Sequence, residues 1–203
     1  MPVAHLPRVD AILLAAGESR RMGFPKALLD LAGKTFLEHI LATFRRVPFR
    51  SVTIVLGAEA DRIRQSCRIT PEVACVVNEE YKLGQLSSLQ AGLRRCDSRA
   101  VDGFLVALVD HPLVTSCSMR ALMRVLGRNP ESIVVPVFEG RRGHPVLFAA
   151  SYYDDLLEAP LEDGARSVVH RHAEKVVQWP VRDPGVLRDI DTPELYRALG
   201  DKP

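Results

Sequence analysis

An apolar run that empties into a basic, glycine-marked loop constrains this chain more than any other feature. Residues 9–16 read Val-Asp-Ala-Ile-Leu-Leu-Ala-Ala, with Asp10 the only polar member. A short apolar run closed by glycine reads as a strand buried on both faces. It passes directly into Gly17-Glu18-Ser19-Arg20-Arg21-Met22-Gly23-Phe24-Pro25-Lys26. Glycines let backbone N–H groups approach an anion closely, and Arg and Lys neutralise it. At the carboxyl end of a first strand, this predicts a phosphate-rich ligand. Two familiar phosphate loops do not fit. The P-loop needs Gly-x4-Gly-Lys followed by a hydroxyl, but here Lys26 does not adjoin Gly23 and Ala27 stands in the hydroxyl position. The dinucleotide fingerprint fails because position 19 is Ser. Read on its residues alone, the stretch could also be an ordinary basic surface loop.

The rest of the chain alternates between strand and helix signals. Thr35 with Glu38 forms a capping box, and Phe36, Leu37, Ile40, Leu41, Phe44 and Val47 then mark one helical face, stopped by Pro48. Strands are expected at 51–56, 73–77, 103–109 and 132–138, with late ones at 176–179 and 186–190. Helices are expected at about 59–67, along Leu86, Leu89 and Leu93, and around 119–126, the last ended by Gly127 as a C′ glycine. Thr192-Pro193-Glu194 opens a final helix. This alternation predicts an α/β fold with a mostly parallel sheet and helices on both faces, a single domain over residues 1–203. Asp110 ends the most apolar strand. The next helix has its own caps near Thr115, and Pro112 restrains the intervening backbone. Asp110 is therefore free for ligand chemistry or a metal ion.

Net charge is +2, which excludes no small ligand but offers no general footprint for nucleic acid or membrane. No apolar run approaches the roughly 18 residues of a membrane helix, and no signal-peptide core precedes Asp10. Cys67, Cys75, Cys96 and Cys117 are scattered without Cys-x-x-Cys, which argues against zinc or a disulfide framework and predicts cytoplasmic thiols in or near the core.

The stretch from Leu14 to Lys26 resembles the signature Leu-Ala-Ala-Gly-x-Ser-x-Arg-Met-Gly-x-x-Lys of nucleotidyltransferases of the molybdenum cofactor type. These are the cytidylyl- and guanylyltransferases that attach a nucleotide to molybdopterin. The resemblance extends along nearly the whole chain. Residues 78–93 resemble the family's Asn-x-x-[Trp/Tyr]-x-x-Gly-x-x-x-Ser-Leu-x-x-Gly-Leu segment, and Asp110-His111-Pro112 its Asp-Gln-Pro, with His in place of Gln. Gly143-His144-Pro145-Val146 resembles the cytidylyltransferase branch, and residues 189–194 repeat the family's Asp-Ile-Asp-Thr-Pro-Glu. The match to Gly-Asp-x-Gly-Ala-Arg at residues 161–166 departs at Leu161 and Glu162.

The resemblance implies a three-layer Rossmann-like nucleotidyltransferase domain, its N-terminal part binding NTP and its C-terminal part the acceptor. Leu14, Ala15, Ala16, Gly17, Arg21, Lys26, Gly84 and Ser88 would bind the nucleotide. Arg21, Lys26 and Asp110 would be catalytic, Arg21 on the leaving pyrophosphate and Lys26 on the α-phosphate. Mg²⁺ would lie on Asp110 and on Asp191, with Asp189 the alternative, and His144 and Arg166 would meet the acceptor. Ser88 on its residue reading is equally a helix cap. Transfer onto an acceptor phosphate, already ionised, needs no strong base, in keeping with no evident His–carboxylate pair. Ala15-Ala16 replaces the Ala-Gly of the guanylyl branch and favours a pyrimidine. The expectation is CMP transfer from CTP to molybdopterin cofactor with pyrophosphate release, a molybdoenzyme being the downstream recipient. The alternatives are GTP, another phosphorylated acceptor, or a silent NTP-binding chaperone for molybdoenzymes.

Overall fold

The computed structural model describes residues 6–200. In chain order the elements are β1 (Val9–Ala15), β2 (Asp30–Leu31), β3 (Lys34–Thr35), α1 (Phe36–Phe44), β4 (Ser51–Leu56), α2 (Ala60–Ser66), β5 (Val73–Val77), α3 (Gln85–Leu93), β6 (Gly103–Leu108) and α4 (Ser116–Arg128). There follow β7 (Ile133–Phe138), β8 (Arg141–Arg142), β9 (Val146–Ala149), α5 (Tyr153–Glu158), α6 (Ala165–Arg171), β10 (Val176–Pro180) and α7 (Pro193–Gly200).

The main sheet runs in the order β10-β7-β9-β6-β1-β4-β5, with β8 paired to β7. β1, β4, β5 and β6 are mutually parallel, while β9 lies antiparallel between β6 and β7. Every residue of β1 is buried, as a strand with layers on both faces requires. The one polar residue in that strand, Asp10, is fully buried and takes two bonds from the Arg50 guanidinium, at 2.9 and 2.6 Å. A buried charge is tolerated only when paired in this way. α3 packs on β1, β4 and β5, and α4 on β7 and β9. Gly92 permits the first of these contacts, since a Cβ there would lie 2.7 Å from Ile12 and 2.9 Å from Val55.

The capping box at Thr35 and Glu38 forms in full, with both reciprocal bonds present. The apolar face expected for α1 is buried to its last member, although the helix ends at Phe44, ahead of Pro48.

Three expectations fail. Residues 186–190 are not a strand. The Asp183 carboxylate accepts from Gly185 N–H at 3.0 Å and winds Pro184–Leu187 into a 3-10 turn. A glycine is needed there because a Cβ at 185 would lie 2.4 Å from the Leu113 carbonyl. Gly127 is not a C′ residue: α4 continues through Arg128, and Asn129 closes it by returning its side-chain amide to the Val125 carbonyl at 3.0 Å. Of the thiols, Cys67 and Cys96 are buried and Cys75 is half-buried, but Cys117 is exposed on the first turn of α4. Among the described residues, no helix is long and apolar enough to cross a membrane.

Candidate active site

The strand order reverses at β1 and β6. From β1 the chain moves outward through β4 to β5, then crosses back to place β6 on the other side of β1. In an open α/β sheet the crevice beyond such neighbouring carboxyl ends is where ligands bind. The loop after β1 supplies Lys26 to this crevice, and the turn after β6 supplies Asp110. The C-terminal segment brings Asp191 to the same point.

Lys26 Nζ donates to Asp110 Oδ2 at 2.8 Å and to Asp191 Oδ1 at 2.6 Å. Arg21 donates to the second oxygen of Asp191. The loop is held in place locally: Ser19 adopts φ +53°, its carbonyl accepts from Met22 and Gly23 N–H, and its hydroxyl accepts from Lys26 N–H at 3.1 Å. Asp191 is carried by a longer chain of bonds. Asp183 accepts from the Thr115 hydroxyl at 2.8 Å and from Ser118 at 2.7 Å, and Ile190 N–H donates to the Asp110 carbonyl at 2.8 Å. That last bond places the two carboxylates side by side. Asp189 is exposed.

Burial alone would raise the pKa of Asp110. The hydrogen bond from His111 and the Lys26 ammonium overcome this and hold the carboxyl well below the usual range. Burial opposes the charge on Lys26 as well, but its two carboxylate partners raise its pKa. Because ionised Asp110 can only accept, the 2.8 Å contact to His111 Nδ1 makes that nitrogen the protonated one. This is a His–carboxylate pair at the centre of the crevice, contrary to the expectation of none. It was missed because His111 stands beside Asp110 in sequence, where neighbouring side chains need not meet.

Two clefts adjoin along Leu14, Gln85 and Leu108, and Lys26 and Asp110 border the first of them. The first, about 240 Å³, is lined by Leu14, Ala15, Ala16, Gly17, Lys26 and Asp110 on one side and by Tyr81, Gly84, Gln85 and Ser88 on the other. Every residue expected at the nucleotide lines it except Arg21, whose side chain is 72% exposed and meets the site through Asp191. Ser88 does not cap α3. It is buried within the helix and accepts from Asn78 Nδ2 at 3.1 Å, so Asn78 braces the cleft wall. Gly57 lets Tyr81 close against the loop, since a Cβ there would lie 2.6 Å from Tyr81 Cβ and 2.7 Å from the Ala16 carbonyl.

The second cleft, about 520 Å³, has an apolar floor from β6, β7 and β9 and a polar rim of Arg142, His144, Glu162, Asp163, Arg166 and His170. Leu14, Gln85 and Leu108 line both clefts. Leu161 and Glu162, the departures from the family pattern, lie on the second. His144 Nδ1 is buried without a hydrogen-bond partner, and its ring meets His111 edge-on at 5.1 Å. Burial, with His111 beside it, lowers the His144 pKa to about 4 against the pull of Asp110 and Asp189, so the ring is neutral near pH 7.

These residues fit a divalent cation. Two carboxylates, one firmly ionised, converge on a single cationic atom, Lys26 Nζ, standing where a hard cation would be held. Among the described residues, no group of three or more His, Cys, Asp or Glu is placed to hold a metal ion.

The profile described as the MobA-like NTP transferase domain matches residues 11–176. The chain is 31% identical to a nicotine blue oxidoreductase of Paenarthrobacter nicotinovorans, over 96% of this chain and 98% of that protein. It is 30% identical to a molybdenum cofactor guanylyltransferase of Rhodopseudomonas palustris, over 96% of this chain and 93% of that one. Among solved structures, Rv0371c of Mycobacterium tuberculosis H37Rv superposes with a TM-score of 0.84 at 27% identity, covering 98% of this chain and all of that one. The same mycobacterial protein has also been solved in complex with manganese, with a TM-score of 0.78 at 26% identity over 95% of this chain and 97% of that one.

Proposed function

The chain belongs to the MobA-like NTP transferase family, whose profile spans residues 11–176, and on that premise we propose that it moves CMP from CTP to a molybdopterin-type acceptor with release of pyrophosphate. The observation that carries this reading is the meeting of Lys26, Asp110 and Asp191 beside the first cleft, which shares Leu14, Gln85 and Leu108 with the second. Nucleotidyl transfer must bring two anions together, so its main demand is preorganised neutralisation of charge.

The residues divide the task. Backbone amides of the loop beyond Ala16, with Arg21, grip the β- and γ-phosphates. Lys26 meets the α-phosphate, where charge shifts as the acceptor oxygen bonds to phosphorus and the bond to the β-phosphate breaks. Asp110 and Asp191 would hold Mg²⁺, which when bound neutralises phosphate charge. On the second cleft Arg142 and Arg166 draw the acceptor phosphate, the neutral His144 hydrogen-bonds the acceptor, and the apolar floor receives its ring system. The acceptor phosphate is the nucleophile and is already ionised. The His111–Asp110 pair is therefore read as orienting Asp110, not as a base.

Ala15 and Ala16 both line the first cleft, and the methyl of Ala16, which the guanylyl branch lacks, takes up room beside the base and favours a pyrimidine. The relative named as a guanylyltransferase supports GTP instead. Pyrophosphate release with CTP, GTP, UTP or ATP, with and without Mg²⁺ and molybdopterin, decides between them. The expected result is acceptor-dependent release from CTP alone. Release from GTP reassigns the base, release with only another phosphorylated acceptor reassigns the second cleft, and nucleotide binding without release leaves a binding protein. The relative that bears an oxidoreductase's name is separated by the same assay.

A further inference from the structure

The charges around Lys26 balance without any ligand. Asp110 and Asp191 supply two negative charges, and Lys26 and Arg21 supply two positive ones. Lys26, Asp110 and Asp191 are shielded from solvent, with side-chain exposures of 15%, 18% and 14%. Within such a pocket, water does little to weaken the pairing. Lys26 Nζ also occupies one oxygen of each carboxylate, and Arg21 takes the other oxygen of Asp191. A divalent cation arriving alone would meet no net negative charge and few open lone pairs. Magnesium gives up its waters reluctantly and gains little from such a site.

An incoming triphosphate alters both conditions. It sets several negative charges beside the same two cations. The Lys26 backbone stays pinned by Ser19 at 3.1 Å, but its ammonium rides on a flexible four-carbon stem and can turn from carboxylate to phosphate. Once it turns, the Asp110–Asp191 pair is uncovered with its full charge.

Building on the nucleotidyl-transfer reading above, we propose that Lys26 is a built-in counter-ion that keeps divalent metal out of the Asp110–Asp191 pair until a triphosphate draws its ammonium away. Metal and nucleotide then enter as one event. Lys26 has two successive partners in this scheme, the carboxylates before binding and the α-phosphate afterwards.

Mn²⁺ is a suitable probe, because its free concentration is read directly by electron paramagnetic resonance. It is titrated, with no nucleotide present, into the metal-free wild-type chain and into K26Q, K26M, K26R, D191N and K26Q/D191N, each checked for folding by thermal unfolding. K26Q and K26M are expected to bind Mn²⁺ at least tenfold more tightly than wild type. K26R, which keeps the cation, stays at the wild-type level, and K26Q/D191N loses the gain. Equal Mn²⁺ affinity in wild type, K26Q and K26M overturns the proposal, as does a gain that survives D191N. The metal-only arm depends on neither base nor turnover. A gain in K26Q alongside no pyrophosphate release by wild type from any NTP sinks the nucleotidyl-transfer reading and leaves the counter-ion standing. Release by wild type with unaltered Mn²⁺ binding in the variants sinks the counter-ion alone.

Discussion

The two clefts meet at Leu14, Gln85 and Leu108, yet they are built on different principles. Around the first, Lys26 and Asp110 come from the segments that follow the parallel strands β1 and β6, Asp191 comes from the C-terminal segment, and their charges are matched to one another. Around the second, Arg142 comes from a two-residue strand and Arg166 from a seven-residue helix, and among the described residues neither is in an ion pair. The charged centre beside the first cleft is already neutralised; the second is an apolar floor under a rim of both signs whose arginines are still open to a ligand. A site that must stabilise a transition state gains from charges held in place before the reaction. A site that must capture a partner gains from charges still exposed to attract it.

The contrast predicts different failures. Lys26→Ala is expected to lower kcat by about 10²–10³-fold, the usual cost of one preorganised donor on developing charge. Asp110→Ala should do likewise, both read by pyrophosphate release from folded protein. A change confined to acceptor KM would break the division of labour.

His144 lies on the rim of the second cleft, and its burial bears on stability. Its folded pKa, about 4, lies below the ordinary 6.5, so the unfolded chain takes up a proton that the native ring refuses. Stability is therefore intact above pH 6.5 and falls as the pH drops toward about 4. The loss should reach about 3 kcal/mol over that window. The groups facing it are His111, Asp110 and Asp189. Urea unfolding at both ends of the window should show a smaller pH dependence in His144→Gln than in wild type.

Arg166→Ala should raise the acceptor KM about tenfold, the worth of a charge-assisted contact, with NTP affinity unchanged. Isothermal titration with nucleotide and steady-state kinetics with acceptor separate the two. Thr35→Ala, at a capping box outside both lining sets, should cost about 1 kcal/mol of stability and alter neither KM, so it calibrates how much of any kinetic change is mere loosening.

The contrast also accounts for what could be read from the residues. The first cleft is written in contiguous strings: β4 and β5 run as their apolar patterns require, and Asp110 follows its strand directly. The meeting of Asp110 with Asp191 was foreseen only through likeness to a family. What placed them together is a backbone bond from Ile190 to the Asp110 carbonyl, which no local pattern encodes. Residues 186–190 are apolar enough for a strand, but the Asp183 side chain competes with ladder hydrogen bonds for the backbone and wins. Gly127 misled for a similar reason, since Asn129 supplies the helix end itself. The shape of the second cleft arises from β7, β8, β9 and α6 converging in space, and composition carries no trace of that.

Lys26 and Asp191 are bonded across 165 residues of chain. A growing polypeptide can form the first strand, its loop and the helices around them long before Asp191 exists to join them. Closing so wide a span is among the slower events a small α/β chain faces. During synthesis, then, there is an interval in which a nearly whole molecule has a phosphate loop but an unfinished centre, with Lys26 held by Asp110 alone. Competence arrives at one late moment, with the docking of the segment that Asp183 pins, and its appearance in a refolding experiment would time that docking.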